Sequence, residues 1–111
     1  VKESPALALL DAHNGLGTVA AAKAMRLAIG KAKVCGIGTA MVRGSTHFGS
    51  SAVHACQAAE ADCIGVALTN AGPEMAPWGA REGAVGTNPW GIAAPTGLGF
   101  PAVLDIALTT A

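Results

Sequence analysis

The hydrophobic positions fall into short runs whose period changes from strand-like to helical and back. "PALALLDA" (5–12) is a brief apolar run that reads as a strand and closes at "HNG", a turn signal. Thr18 is placed to cap the helix that follows, which runs to about Lys33. Within it Ala21, Ala22, Met25, Ala28, Ile29 and Ala32 share one face, and Lys23, Arg26, Gly30 and Lys33 share the other. That is the pattern of an amphipathic helix lying on a core. "CGIGTAMVRGS" (35–45) reads as a glycine-broken strand. A second helix is expected from about Ser50 to Ala61, with Ala52, Val53, Cys56 and Ala59 inward and His54 and Gln57 on the polar side. "CIGVALTN" (63–70) is strand-like again, and 71–90 reads as a long loop with two glycine-bearing turns. "GIAAP" (91–95) and "AVLDIAL" (102–108) are the last strands, separated by a Gly/Pro turn. The order β-α-β-α-β with a strand-rich second half predicts an α/β (α+β) fold, a mixed, largely antiparallel sheet with helices packed on it.

Composition adds a constraint on the surface. The chain has 111 residues, enough for one domain with a modest core. Charged residues make up 13%, well below the roughly 25% usual in soluble domains, and apolar residues reach 51%. A lone small domain has too little interior for that share, so part of its surface is expected to lie against another domain or a second subunit. Formal net charge is zero, which gives no electrostatic case for nucleic acid or an anionic membrane. The uncharged run from Gly83 to Leu104 has the length of a membrane span, but Pro89, Pro95, Pro101 and five glycines break it into strands and turns. No signal peptide opens the chain. Cys35, Cys56 and Cys63 are odd in number and form no CxxC, which argues against a disulfide framework and a zinc site and for a reducing cytoplasm. The chain opens on Val1 and breaks off within "VLDIALTTA", as expected of a segment of a longer protein.

Glycine-rich stretches raise the question of phosphate binding. "GIGTAM" (36–41) lacks the third glycine of a dinucleotide fingerprint and precedes a strand, where that motif must follow one and open a helix. "AIGKAK" (28–33) lacks the earlier glycine and the Ser/Thr of a phosphate loop. Metal binding is no better supported. His47 and His54 are seven residues apart, roughly 10 Å along a helix, too far for one ion bound at about 2 Å. His54 on the polar helix face is expected to be exposed, and His13 to be a turn residue. His47 stands apart because "VRGSTHFGSS" (42–51) sets it where a strand gives way to a helix. Exposed N–H donors at a helix start suit an anionic substrate or a developing oxyanion. On spacing alone, His47 as a chemical group and His47 as a helix-end residue remain equally open.

The blocks "LLDAHNGLG", "AMRLAIGKAKVCGIG", "VRGSTHFGSSAVHA", "IGVALTNAGPEMAPWGA", "GTNPWGIAAP" and "LDIALTTA" together resemble, in order, the malate/L-lactate dehydrogenase family of type 2. That family also contains ureidoglycolate and sulfolactate dehydrogenases, diketogulonate reductase and cyclic imino-acid reductases. The resemblance covers essentially all 111 residues and matches the central part of much longer proteins. It implies a non-Rossmann dinucleotide-binding domain, here 1–111 as a partial catalytic domain, that uses NAD or NADP to interconvert 2-hydroxy and 2-oxo acids. It also implies a homodimer. His47 falls on the family's catalytic histidine in its "S-N-H-F-G" block. Ala71, Asp105, Ile106 and Ala107 fall on positions that contact the dinucleotide.

Some positions depart from the family pattern. Thr46 stands where asparagine is common, Ala12 where glycine is common, and Ala80 where a second glycine usually follows Gly79. Ala71 has no hydroxyl, so a cofactor contact there would be through backbone. The resemblance further implies that a Ser-His pair, a substrate arginine and the rest of the cofactor site come from segments outside these residues.

The chemistry asked of His47 is physically coherent. Hydride delivery to a 2-oxo carbon creates an alkoxide that needs a proton donor within about 2.6–3.2 Å, and the reverse reaction needs a base in the same place. Histidine serves both directions near neutral pH. Asp105 is a candidate partner for the ring, or else a strand-end carboxylate bonding backbone or cofactor. Arg43 is a candidate fork for the substrate carboxylate, or a solvated surface group. Asn88 is expected to fix a turn, and Trp78 and Trp90 to pack on a cofactor ring, in the core or at an interface. The rival reading is a catalytically incomplete fragment serving as a structural or oligomer-interface domain.

Overall fold

The computed structural model describes residues 1–107, so residue 108 of the last expected strand and the final part of the "LDIALTTA" block lie outside the described residues. The elements are β1 (Lys2–Glu3), β2 (Leu7–Gly15), α1 (Gly17–Cys35), β3 (Thr39–Ser45), α2 (Ser51–Ala59), β4 (Gly65–Leu68), β5 (Trp90–Ala94) and β6 (Ala102–Ile106). They form two three-stranded sheets rather than one mixed sheet. In the first, β1 runs antiparallel to β2 and β2 runs parallel to β3, with α1 as the crossover. The second, in the order β4-β5-β6, is antiparallel throughout.

Glycines explain why α2 belongs to the second sheet. A Cβ on Gly65 would collide with the Ala55 carbonyl and Ala58 Cβ, and one on Gly91 would lie 2.8 Å from Ser51 Cβ. The sheet therefore meets the helix backbone at contact distance and tolerates only small side chains between them. This overturns the expected orientation of α2. Ser51, His54, Ala55, Ala58 and Ala59 face inward, whereas Val53, expected inside, is 61% exposed. His54, expected in solvent, is only 4% exposed.

The first sheet lies closer to expectation. Ala8 and Leu10 of β2 and Ala24 of α1 form its core, with Leu27, Ala40 and Val42 packed around them. The "HNG" signal makes a bulge inside β2 instead of ending it: His13 (φ 48°) and Asn14 (φ 61°) are left-handed, and the register passes from Asp11↔Arg43 to Gly15↔Ser45. Helix α1 starts at Gly17, with Leu16 at its N-cap and no side-chain cap from Thr18. Gly36 (φ 80°) ends it, donating its N–H to the Ala32 carbonyl at 2.8 Å. Val34, Leu68 and Trp78 are among the large apolar side chains left exposed. No helix among the described residues is long and apolar enough to cross a membrane.

Candidate active site

His47 lies in the five-residue link between β3 and α2, and each side of that link is fastened. On the β3 side, Thr46 donates its N–H to the Gly15 carbonyl at 3.1 Å, and its hydroxyl accepts the Gly17 N–H at 3.1 Å. The threonine thus joins the start of α1 to the link. Gly17 is buried there, and a Cβ on it would sit 2.5 Å from the His47 carbonyl and nearer still to that of Thr46.

On the α2 side the fastening comes from far along the chain. Asp105 on β6 accepts hydrogen bonds through one oxygen, Oδ2, from the Ser50 hydroxyl and from the Ala52 N–H, the latter at 2.9 Å. The Ser50 contact, then the Ala52 amide, hold the Asp105 carboxyl below the usual carboxylate range. Asp105 is therefore the cap of α2, supplied from another element, and shares no hydrogen bond with His47. One donor at this helix start, the Ala52 N–H, is answered by the protein's own carboxylate.

The His47 ring is exposed, and its Nδ1 accepts the Gly49 N–H at 3.1 Å. An acceptor Nδ1 places the proton of the neutral ring on Nε2. Nε2–H is then a donor with no protein partner among the described residues. For Nε2 to accept a proton, the neutral ring must carry its own on Nδ1, and the Gly49 contact has to open.

Strand register brings the other expected positions to one end of the second sheet. Leu68, Trp90 and Ile106 align across β4, β5 and β6. Ala71, three residues past Leu68, and Ala107, one past Ile106, continue from that same end, where Asp105 also reaches the start of α2. Ala71 donates its N–H to Asn88 Oδ1 at 3.0 Å, so that donor is committed to the turn Asn88 fixes. Asn88 holds φ 38°, and Gly86 packs directly beneath the Ala71 carbonyl.

Arg43, whose side chain is 70% exposed, is paired with Asp11. Its Nη2 and Nε lie 2.8 and 3.0 Å from Asp11 Oδ2. The His13 amide, then Arg43, hold the Asp11 carboxyl below its ordinary range. Trp78 is fully exposed and Trp90 half-buried on β5. A cleft of about 760 Å³ opens between α1, β3 and β4, lined by Met25, Ile29, Met41, His54, Val66 and Leu68 among others. No Lys, Arg, Asp or Glu lines it, so it offers a carboxylate no charged side-chain partner of the Lys or Arg kind.

One glycine pattern escaped the sequence reading. "GLGTVA" (15–20) fits G-x-G-x-x-A and stands where a dinucleotide fingerprint belongs, after β2 and opening α1. The phosphate seat of such a motif, the first free N–H at the helix start, is taken here by Thr46. No Asp or Glu occurs from Ala32 to Ser45, the stretch where the ribose-binding acid of that motif would fall.

Comparison with known proteins gives the family. A profile described as Malate/L-lactate dehydrogenase matches residues 1–111. The chain belongs to the malate/L-lactate dehydrogenase family. It is 48% identical to a malate dehydrogenase of Pyrococcus abyssi over 107 residues, which are 96% of this chain and 29% of that protein. It is also 48% identical to an L-sulfolactate dehydrogenase of Methanocaldococcus jannaschii over 93 residues, 84% of this chain and 27% of that one. The solved malate dehydrogenase of Pyrococcus horikoshii superposes with a TM-score of 0.91 at 45% identity, covering 96% of this chain and 30% of that chain. The chain thus spans about three-tenths of the length of these members of the malate/L-lactate dehydrogenase family.

Proposed function

We propose that this chain is the proton-transfer part of a dehydrogenase that interconverts a 2-hydroxy and a 2-oxo acid, with His47 exchanging the proton. The observation that carries the reading is the His47 ring, anchored by Nδ1 alone and presenting Nε2 at the junction of the two sheets. In the reduction, a ring protonated on both nitrogens gives its Nε2 proton to the oxygen of the reacting carbonyl and is left neutral, with its proton on Nδ1. In the oxidation the same nitrogen removes the hydroxyl proton. Malate, lactate and sulfolactate are the substrate class suggested by the relatives' names.

NAD or NADP, when bound, would accept or supply the hydride. The fit of this chain to such a cofactor is partial. Asp105 Oδ1, without a hydrogen-bond partner among the described residues, suits a ribose hydroxyl, and Ile106 and Ala107 continue the same edge. Ala71 contributes no free donor. The closed start of α1 supports a dinucleotide site of non-Rossmann kind. Residues 1–111 would then supply one wall of a catalytic domain in a cytoplasmic homodimer whose substrate arginine comes from outside this chain.

The test is His47→Ala in the intact enzyme. Turnover is expected to fall roughly 10²–10⁴-fold, the usual worth of general acid–base catalysis, with cofactor affinity nearly unchanged. Full turnover with an unchanged pH profile would reduce His47 to a helix-end residue. A second reading, a packing or interface domain with no chemistry of its own, is favoured by the engaged Arg43 and the exposed Val34, Leu68 and Trp78. Sedimentation of the intact protein at micromolar concentration distinguishes assembly from a monomer, and activity of the isolated segment would exclude this second reading.

A further inference from the structure

His54 is buried in α2, yet its ring is polar and half-satisfied. Nε2 lies 2.7 Å from the Phe48 carbonyl, while Nδ1 is buried without a partner among the described residues. A carbonyl only accepts, so Nε2 carries the proton and Nδ1 the lone pair. The ring also stacks on Phe48, with centroids 5.1 Å apart and planes 25° from parallel. Leaving Nδ1 unpaired costs free energy that a phenylalanine here would avoid.

The Phe48 carbonyl belongs to the same peptide group as the Gly49 N–H, and that N–H is what His47 Nδ1 accepts. One rigid amide plane therefore carries a hydrogen bond on each edge, one to each histidine. Turning that plane over would point the carbonyl towards His47 Nδ1, favour a proton there, and leave Nε2 with its lone pair. Gly49, at φ 84°, is the residue best able to permit such a turn. We propose that His54 is a positioning residue for His47: by holding the Phe48–Gly49 peptide in one orientation, it sets which nitrogen of the His47 ring carries the proton. The catalytic consequence rests on the role proposed for His47, but the tautomer itself does not.

The measurement is the ring-nitrogen NMR spectrum of the intact protein with 15N-labelled histidine, above the pH at which the rings are neutral. In the wild type, His47 and His54 should both show the Nε2–H form. His54→Phe keeps a stacking ring and removes the donor. There the His47 signals should move towards the Nδ1–H form, which leaves on Nε2 the lone pair that oxidation needs, so kcat for oxidation should rise rather than fall, with KM nearly constant. His54→Gln, whose amide can reach the same carbonyl, should restore the Nε2–H form and return kcat to near the wild-type value. An unchanged His47 tautomer in a folded His54→Phe or His54→Ala protein would overturn the proposal, as would an Nδ1–H form of His47 in the wild type. Absence of any 2-hydroxy-acid turnover in the wild type would sink the function proposed for His47, while the NMR result would still decide the role of His54.

Discussion

Helices α1 and α2 are built on opposite principles. Helix α1 has 19 residues, a periodic apolar face and a glycine that ends it, so apart from the Thr46 hydroxyl at its start most of what it needs is local. Helix α2 has nine residues, fewer than the roughly 12–15 at which an isolated helix begins to persist in water. It exists because β4 and β5 admit it at glycines 65 and 91 and because Asp105 closes its first turn. The self-sufficient helix contributes bulk. The dependent one has no fixed place without its neighbours, and the candidate catalytic residue and its positioning residue are joined to it.

The sharpest way to break this contrast is at the junction of the two helices. Gly17→Ala adds a methyl that overlaps the Thr46 and His47 carbonyls. Alanine's gain of about 1 kcal/mol in helix propensity is outweighed by overpacking, for a net loss of up to about 2 kcal/mol. Urea unfolding of the intact protein checks this, and a gain in stability would mean that the link is slack.

Asp105→Ala probes the dependent helix alone. Removal of a helix cap costs about 1 kcal/mol, and the loss should have a pH signature. Because the folded carboxyl titrates below its ordinary value, its stabilisation is present above the unfolded pKa and fades as pH falls through the folded one. The variant should therefore differ most from wild type near neutrality and converge with it in acid. A constant difference down to acid pH would assign the effect to packing.

The smallest effect is expected in α1, and with the opposite sign. Nothing lies within 4 Å of a Cβ added at Gly30. Gly30→Ala should stabilise by about 0.5–1 kcal/mol through backbone entropy, read as a higher thermal midpoint. A loss would show that α1 is less self-sufficient than its length implies.

Legibility in the sequence followed the same division. Helix α1 was found within two residues at each end because its signals are local. Helix α2 was placed correctly but turned the wrong way. Positions 51, 54, 55, 58 and 59 make an i, i+3, i+4, i+7, i+8 stripe, the standard spacing of a buried face. Ser51 and His54 disguised it, since polar residues at two of the five positions argue for solvent. The bulge at His13–Asn14 was visible as a turn signal but not as a feature inside a strand, because only pairing with β3 distinguishes the two. Among the candidate site residues, Asn88 as a turn-former was legible. The commitments of Asp105 to Ser50 and of Arg43 to Asp11 span 55 and 32 positions, and no local pattern encodes them. The division into two sheets escaped for a similar reason, since strand spacing says nothing about which edges pair.

The carboxylate on β6 also imposes a timetable. A ribosome adding about 5–20 residues per second needs roughly 3–11 s to travel the 55 positions from Ser50 to Asp105. Until that residue emerges, the nascent chain has its first βαβ unit available for folding, while the start of α2 lacks its cap. His47 is thus synthesised well before the residue that fixes it. A chain interrupted between Pro95 and Pro101 would still contain His47, Phe48, Gly49 and His54, but not the anchor that seats them.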